Sequence, residues 1–322
     1  MLLILSDELD YTTSKVIEWL IIYGIEFKRS NWEEHNSSVK VSLSSKKGID
    51  IKIWGFEDKD YNFMDFSAFW YRRGEWEIYK PEVKKNKRQV SKIFDKEWHS
   101  LRDFFHFVME NKPSLGSIRM YNTHNKLIAL AVAMEVGLKI PDTLVTTDKN
   151  ELEKFIDNNS SITKAIWNMF RIFGRSTYAQ AKTEKVTTEN IQKLWDIFFP
   201  TLIQHEIKKA FELRIFFMNN ALFPMAIFSQ LDEQTKVDFR NYNREKPNRN
   251  VPYVLPEDIH NKLITLMKIL GLNTGSIDMI VTPENEFVFL EVNPVGQFGW
   301  VSLDCNYYIE EKIAQYFKAL IQ

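Results

Sequence analysis

The stretch Ser276–Trp300 constrains the fold most, because its pattern specifies a strand, a turn and a second strand. Ile277, Met279 and Val281 alternate with Asp278 and Ile280, and Pro283, Glu284 and Asn285 supply turn chemistry. Phe287–Val292 then forms a β-rich apolar run. Three oxygen-bearing side chains fall on this predicted hairpin: Asp278, Glu291 and Asn293. Glu291 and Asn293 are two apart on one strand, so they project to the same face. Asp278 joins them if the register sets it opposite. Two carboxylates and an amide carbonyl are hard oxygen donors, suited to Mg²⁺ and the phosphates it bridges rather than to zinc. The plainer alternative is an exposed polar hairpin face. Against it, a carboxylate inside Val288-Phe289-Leu290-Glu291-Val292 is costly to bury without a partner.

Composition narrows the class. The 322 residues suffice for one large or two to three smaller domains, and 44% hydrophobic with 26% charged residues is globular. The formal net charge of −1, from 42 basic and 43 acidic residues, lacks the footprint of a nucleic-acid binder and gives no pull toward a membrane surface. A single cysteine, Cys305, excludes an intrachain disulfide framework and fits a reducing, cytoplasmic setting. Met1–Asp7 is apolar for too short a run to be a signal peptide and reads as a buried first strand. No apolar run approaches the length of a membrane span.

The pattern along the chain is mixed α/β. Leu2–Leu5, a helix over Ser14–Tyr23 closed by Gly24, a strand at Ile25–Phe27, a hairpin of Val39–Leu43 and Ile49–Trp54, a strand at Phe66–Arg73 and a helix over Glu97–Asn111 make a first unit. Lys80–Lys92 reads as a solvated basic segment, and Asn111-Lys112-Pro113 marks a boundary. A second unit follows, with helices over Asn125–Val136 and Asn150–Asn158 and strands at Ile140–Thr146, Ile162–Ile166 and Leu202–Ile207. Arg171–Thr177 reads as a loop that covers phosphate. The third has a Leu213–Met218/Leu222–Ser229 hairpin turning at Asn219-Asn220, a helix over His260–Leu270, the Ser276–Trp300 segment and a last helix over Tyr308–Leu320. No Walker loop, G-x-G-x-x-G, H-E-x-x-H or G-x-S-x-G is present, so phosphate binding here uses another design.

Lys164 stands mid-strand, and Arg214 and Arg240 each sit in short apolar or alternating runs; alone, each is an ordinary surface charge. Their order, together with Lys126, Pro141-Asp142-Thr143, Gln204-His205-Glu206-Ile207, Glu212-Leu213-Arg214, Asp238-Phe239-Arg240, Asp278 and Leu290–Pro294, resembles the ATP-grasp ligases. Gly296-Gln297-Phe298-Gly299-Trp300 further resembles the graspetide synthetases, the microviridin-type and grasp-with-spasm maturases that macrocyclise ribosomal peptides.

The resemblance implies an ATP-grasp fold of α/β (α+β) class, with an N-terminal domain over 1–112, a central domain over 113–205 and a C-terminal domain over 206–322. ATP would lie between the last two. It implies that Lys126 and Lys164 contact phosphates, that Gln204, His205, Glu206 and Ile207 form the adenine hinge, and that Glu212 meets the ribose. Relatives commonly carry Glu where this chain has His205. Arg214 and Arg240 would stand at the γ-phosphate and acyl phosphate, with Asp238 orienting Arg240 or steering the nucleophile. Asp278, Glu291 and Asn293 match the Mg²⁺ ligands. The implied partner is a precursor peptide with a leader, expected to be gripped by the central unit near Lys182–Phe198, and an acidic core with Thr, Ser or Lys acceptors. Arg72 and Arg73, and Lys84, Lys85, Lys87 and Arg88, are the basic groups expected to receive it, in a homodimer. Two rivals are another ATP-grasp ligase, acting on a protein tail or small substrate, and a non-catalytic ATP- or peptide-binding module.

Overall fold

The computed structural model describes residues 1–7, 9–30, 38–56, 59–74, 82, 86–166, 171–173, 178–180, 183–231 and 248–321. They fall into two compact units. One holds Met1–Thr123, Leu272–Gly275 and Gln297–Gln322; the other holds His124–Gly271 and Ser276–Gly296.

The first unit is built on Leu2–Ser6, five residues buried without exception. A run with no polar alternation belongs between two covered faces of a parallel sheet. Phe27–Ser30 and Ala68–Arg72 flank it in parallel, and Ser114–Leu115 extends the sheet beyond Ala68–Arg72. The helix Tyr11–Ile22 connects the first two strands; Asp10 caps it by accepting from the Thr13 amide at 3.0 Å, and Gly24, at φ +69°, closes it. The last helix, Ile309–Ile321, packs on this one, and Tyr23 donates to Glu311 at 2.7 Å. Gly116 needs its missing side chain: at φ +76° an added Cβ would meet the Tyr71 carbonyl at 2.8 Å. A separate three-stranded antiparallel sheet is formed by Ser38–Ser44, Gly48–Phe56 and Lys59–Asn62.

The second unit is built on two larger antiparallel sheets, of four and five strands, besides the two-stranded pairing of Arg171–Phe173 with Tyr178–Gln180. In the four-stranded sheet, the order is Glu184–Lys185, Ser161–Lys164, Ile197–His205, Thr143–Asp148. Its helix Lys149–Ile156 buries Leu152 against Ile191 and Ile203. In the five-stranded sheet, the order is Arg249–Pro252, Ala221–Phe228, Phe211–Met218, Thr274–Val281, Phe287–Asn293. Phe211–Met218 is buried on both faces after its first residue. Asn219 and Asn220 adopt φ of 44° and 71°, the pair of positive values that a two-residue type I′ hairpin turn demands. The helix Lys126–Glu135, capped by Asn125, packs along Phe287–Asn293.

Several boundaries differ from the sequence reading. The helix expected from Glu97 begins at Lys87: Val90, Ile93 and Phe94 already keep helical spacing, although none of residues 87–97 is buried. Lys87 and Arg88 thus lie on an exposed first helical turn, not in a loop; Lys84 and Lys85 fall outside the described residues. Arg171–Phe173 pairs with Tyr178–Gln180, so a ladder flanks the expected loop. Gly299–Cys305 is a helix that follows the hairpin.

Candidate functional site

The hairpin register answers the question left open by the sequence. Asp278 lies directly opposite Glu291, and Ser276 opposite Asn293. Directly opposed residues share a face, so the two carboxylates and the amide project together. The next pair is Met279 with Phe289, which leaves Leu290 as an extra residue on its strand. Such a bulge re-aims its neighbours, and both Leu290 and Glu291 line a cavity.

That cavity is about 790 Å³, within the range of small-molecule sites. Among its lining are Lys164, Gln204, His205, Glu206, Ile207, Glu212, Asp278 and Glu291, drawn from both larger sheets of this unit. Lys126 and Arg214 join the group through its acids. Arg214 Nη1 donates to both oxygens of Asp278, at 2.8 and 2.9 Å. Lys126 Nζ stands 3.4 Å from Glu291 Oε2 and donates to the Ala165 carbonyl at 3.1 Å. These are the partners that make buried carboxylates tolerable in an apolar strand. Asn293 is on the same face by register but does not line the cavity.

In the segment expected to be the hinge, Gln204 is buried and spends its amide on Thr143 Oγ1 at 2.9 Å. The His205 ring stacks on Phe155, with centroids 4.3 Å apart, and reaches the Phe155 carbonyl at 3.0 Å and Asp142 at 3.3 Å. Glu206 accepts from Ser160 at 2.6 Å and from Lys185 at 2.9 Å. Burial works to raise the Glu206 pKa, but these hydrogen bonds prevail and hold the carboxyl below its ordinary value. Glu212 is bound by Lys209 and by Ser229 at 2.8 Å. Ser160 and Lys185 escaped the sequence reading. Neither sits in a motif, and only the pairing of Glu184–Lys185 with the lysine strand brings Lys185 to the cavity.

The remaining expected residues are placed differently. Asp238 and Arg240 lie outside the described residues. Arg72 and Arg73 belong to the other unit. Arg72, expected on a peptide-receiving surface, is buried: it donates to Asp10 at 3.0 Å and Thr12 at 2.9 Å, and its guanidinium lies 5.0 Å from the Phe298 ring centre. Arg73 is exposed, with φ of 65°.

Two carboxylates opposed across a bulged hairpin, each already neutralised by a side-chain cation, fit a magnesium nucleotide by their donor chemistry. Residues 123–317 match the RimK-like ATP-grasp domain, and the chain belongs to that family. It is an ATP-grasp ligase by fold and by domain.

Among solved structures, a Chryseobacterium gregarium RiPP-associated ATP-grasp ligase, in complex with ADP and a leader and core peptide, is 26% identical. It has a TM-score of 0.82 over 98% of this chain and 94% of that one. The macrocyclase MdnC from Microcystis aeruginosa MRC, bound with precursor peptide MdnA, is 28% identical, with a TM-score of 0.79 over 98% of each chain. The ATP-grasp ligase PsnB, complexed with a phosphomimetic variant of its minimal precursor, Mg and ADP, shares the fold at 15% identity and a TM-score of 0.72, over 100% of this chain and 98% of that one. These structures fit the graspetide synthetase branch expected from Gly296–Trp300. A search of curated proteins found no match. Among the described residues, no helix is long and apolar enough to cross a membrane.

Proposed function

We propose that this chain uses ATP and Mg²⁺ to close side-chain ester or amide rings in a ribosomally made precursor peptide. The observation that supports it most directly is the convergence of Lys164, the hinge, Glu212, Asp278 and Glu291 on one cavity of about 790 Å³. The likeness of almost the whole chain to two peptide-bound ligases supports the substrate class.

A carboxylate is a poor acylating agent because its leaving group would be oxide. Magnesium ATP supplies the phosphoryl group that turns it into an acyl phosphate, and the metal offsets charge at the β/γ-phosphates. In this reading Asp278, Glu291 and Asn293 hold the metal, and Lys126 and Lys164 hold phosphate oxygens. With the Gln204 amide committed to Thr143, the main chain around Glu206 and Ile207 reads the base. Glu212 takes the ribose.

Arg214 and Arg240 stabilise charge as it develops on phosphate and on the tetrahedral intermediate, with Asp238 beside Arg240. The acceptor is a Thr, Ser or Lys side chain of the same bound peptide, so the second step is effectively intramolecular. Arg73, exposed, is the better placed of the Arg72–Arg73 pair to meet acidic core residues. A cytoplasmic homodimer with N-terminal, central and C-terminal domains completes the reading.

Co-expression with a candidate precursor, followed by mass spectrometry, tests it. The expected product has lost one water mass per ring, with ADP released in step. ATP turnover with a peptide of unchanged mass would redirect the assignment to another ATP-grasp substrate.

A further inference from the structure

The cavity-facing Glu212 is held by a residue that no motif singled out and that does not itself line the cavity. Glu212 is the second residue of Phe211–Met218, and Arg214, two further on, shares its face. The Glu212 side chain is 10% exposed. A carboxylate so enclosed needs a cation or hydrogen-bond donors to stay ionised. Lys209 Nζ and Ser229 Oγ both donate to its Oε1, the serine at 2.8 Å.

The two donors come from different strands. Lys209 lies just before Phe211–Met218, in a segment tied down where the Ala210 amide donates to the Val281 carbonyl at 2.8 Å. Ser229 opens the short turn Ser229–Leu231 that follows Ala221–Phe228. Ile227 stands directly opposite Glu212, so Ser229, two residues on, takes the diagonal position that side chains can bridge. Lys209 lines the cavity, whereas Ser229 is fully buried behind it. The lysine supplies the neutralising charge. The serine adds direction, because a hydroxyl on a short, buried side chain fixes where Oε1 sits and so how the carboxylate faces the cavity. Gln230, the next residue, also lines the cavity, so the turn that carries Ser229 is built against the site.

We infer that Ser229 is a positioning residue, whose hydroxyl aims the Glu212 carboxylate at the ribose of the bound nucleotide. The inference rests on the proposed nucleotide site, with Glu212 as its ribose contact. Losing a hydrogen bond to a charged group costs about 10- to 100-fold in affinity.

The test compares ADP with 2′,3′-dideoxy-ADP, which lacks the ribose hydroxyls, by calorimetry on the full-length protein with Mg²⁺. Wild type prefers ADP by about tenfold or more. In Ser229→Ala the preference falls to about threefold or less, while dideoxy-ADP binds within about twofold of wild type. Ser229→Thr, which keeps the hydroxyl, retains most of the preference. A wild-type preference in the alanine variant overturns the inference. An equal loss of both nucleotides overturns it as well, because it would signal general collapse of the cavity. Equal loss of preference in Ser229→Ala and Ser229→Thr also overturns it, by assigning the effect to packing. If Ser229→Ala does not fold, Ser229→Cys, with its weaker donor, carries the test, and an undiminished preference there overturns the inference too. Wild-type protein that binds the two nucleotides equally would instead sink the assignment of Glu212 to the ribose.

Discussion

Two buried arginine–carboxylate pairs, one in each unit, look alike chemically and differ in what surrounds them. Arg72 with Asp10 has side chains 6% and 20% exposed at 3.0 Å; Arg214 with Asp278 has 10% and 14% at 2.8 Å. Asp10 also caps a helix through Thr13, and Arg72 lies against the Phe298 ring. The partners of that pair are a helix cap and an aromatic ring of the same unit. Asp278 instead gives both oxygens to a single nitrogen of Arg214 and faces a cavity with Glu291 opposite. An adjoining cavity and a second acid, not the ion pair itself, distinguish the candidate site.

The largest expected effect separates the pairs directly. Asp278→Asn lowers ATP-dependent turnover about 10²- to 10³-fold, on the scale of removing a preorganised electrostatic contact. Asp10→Asn leaves turnover per folded molecule near wild type but destabilises by about 3 kcal/mol, because it strands a buried guanidinium. Turnover assays and denaturant titrations on both variants give the two numbers. Equal turnover losses would break the comparison.

Acid sharpens it further. Asp10 is held below its usual pKa: burial opposes this, but Arg72 and the bonds from Thr12 and Thr13 outweigh it. His106, in the same unit, is pushed down to about 3 by burial, with Arg102 adding to the effect. Between the unfolded value near 6.5 and about 3, the unfolded chain binds a proton that folded His106 refuses, so stability falls as pH falls through that window. Asp10 adds a loss as pH falls below the ordinary aspartate value of 3.8. His106→Leu therefore flattens the limb between pH 6.5 and 3 by up to a few kcal/mol, read from urea midpoints across pH. An unaltered limb would place the acid sensitivity elsewhere.

What the sequence made legible follows from how local each signal is. The metal-type hairpin was visible because alternation and turn residues are written within about twenty positions. The Asn219-Asn220 turn was visible for the same reason. The extra residue at Leu290 was not, since a bulge leaves no mark in an apolar run, and it decides which side chains face the cavity. Arg72 was read as a surface group from its aromatic neighbours. Its partner is 62 residues away, and the parallel pairing of Leu2–Ser6 with Ala68–Arg72, which no local pattern encodes, buries it. Lys185 and Ser160 reached the site by strand pairing alone.

The smallest expected effect supplies the control for both pairs. Lys139 and Glu286 form an ion pair on the second unit, with side chains 61% and 47% exposed. Pairs of this kind contribute about 0–1 kcal/mol, because water screens them and two long side chains lose freedom. The contact that matters at this position is the Lys139 main-chain carbonyl on Phe289, which a side-chain change leaves in place. Lys139→Ala therefore shifts stability by under about 0.5 kcal/mol and leaves ADP binding unchanged at every Mg²⁺ concentration. A marked loss of Mg²⁺-dependent binding would mean that charge, not backbone pairing, secures the outer side of the Phe287–Asn293 strand, and that exposed and buried pairs in this protein differ less than their surroundings indicate.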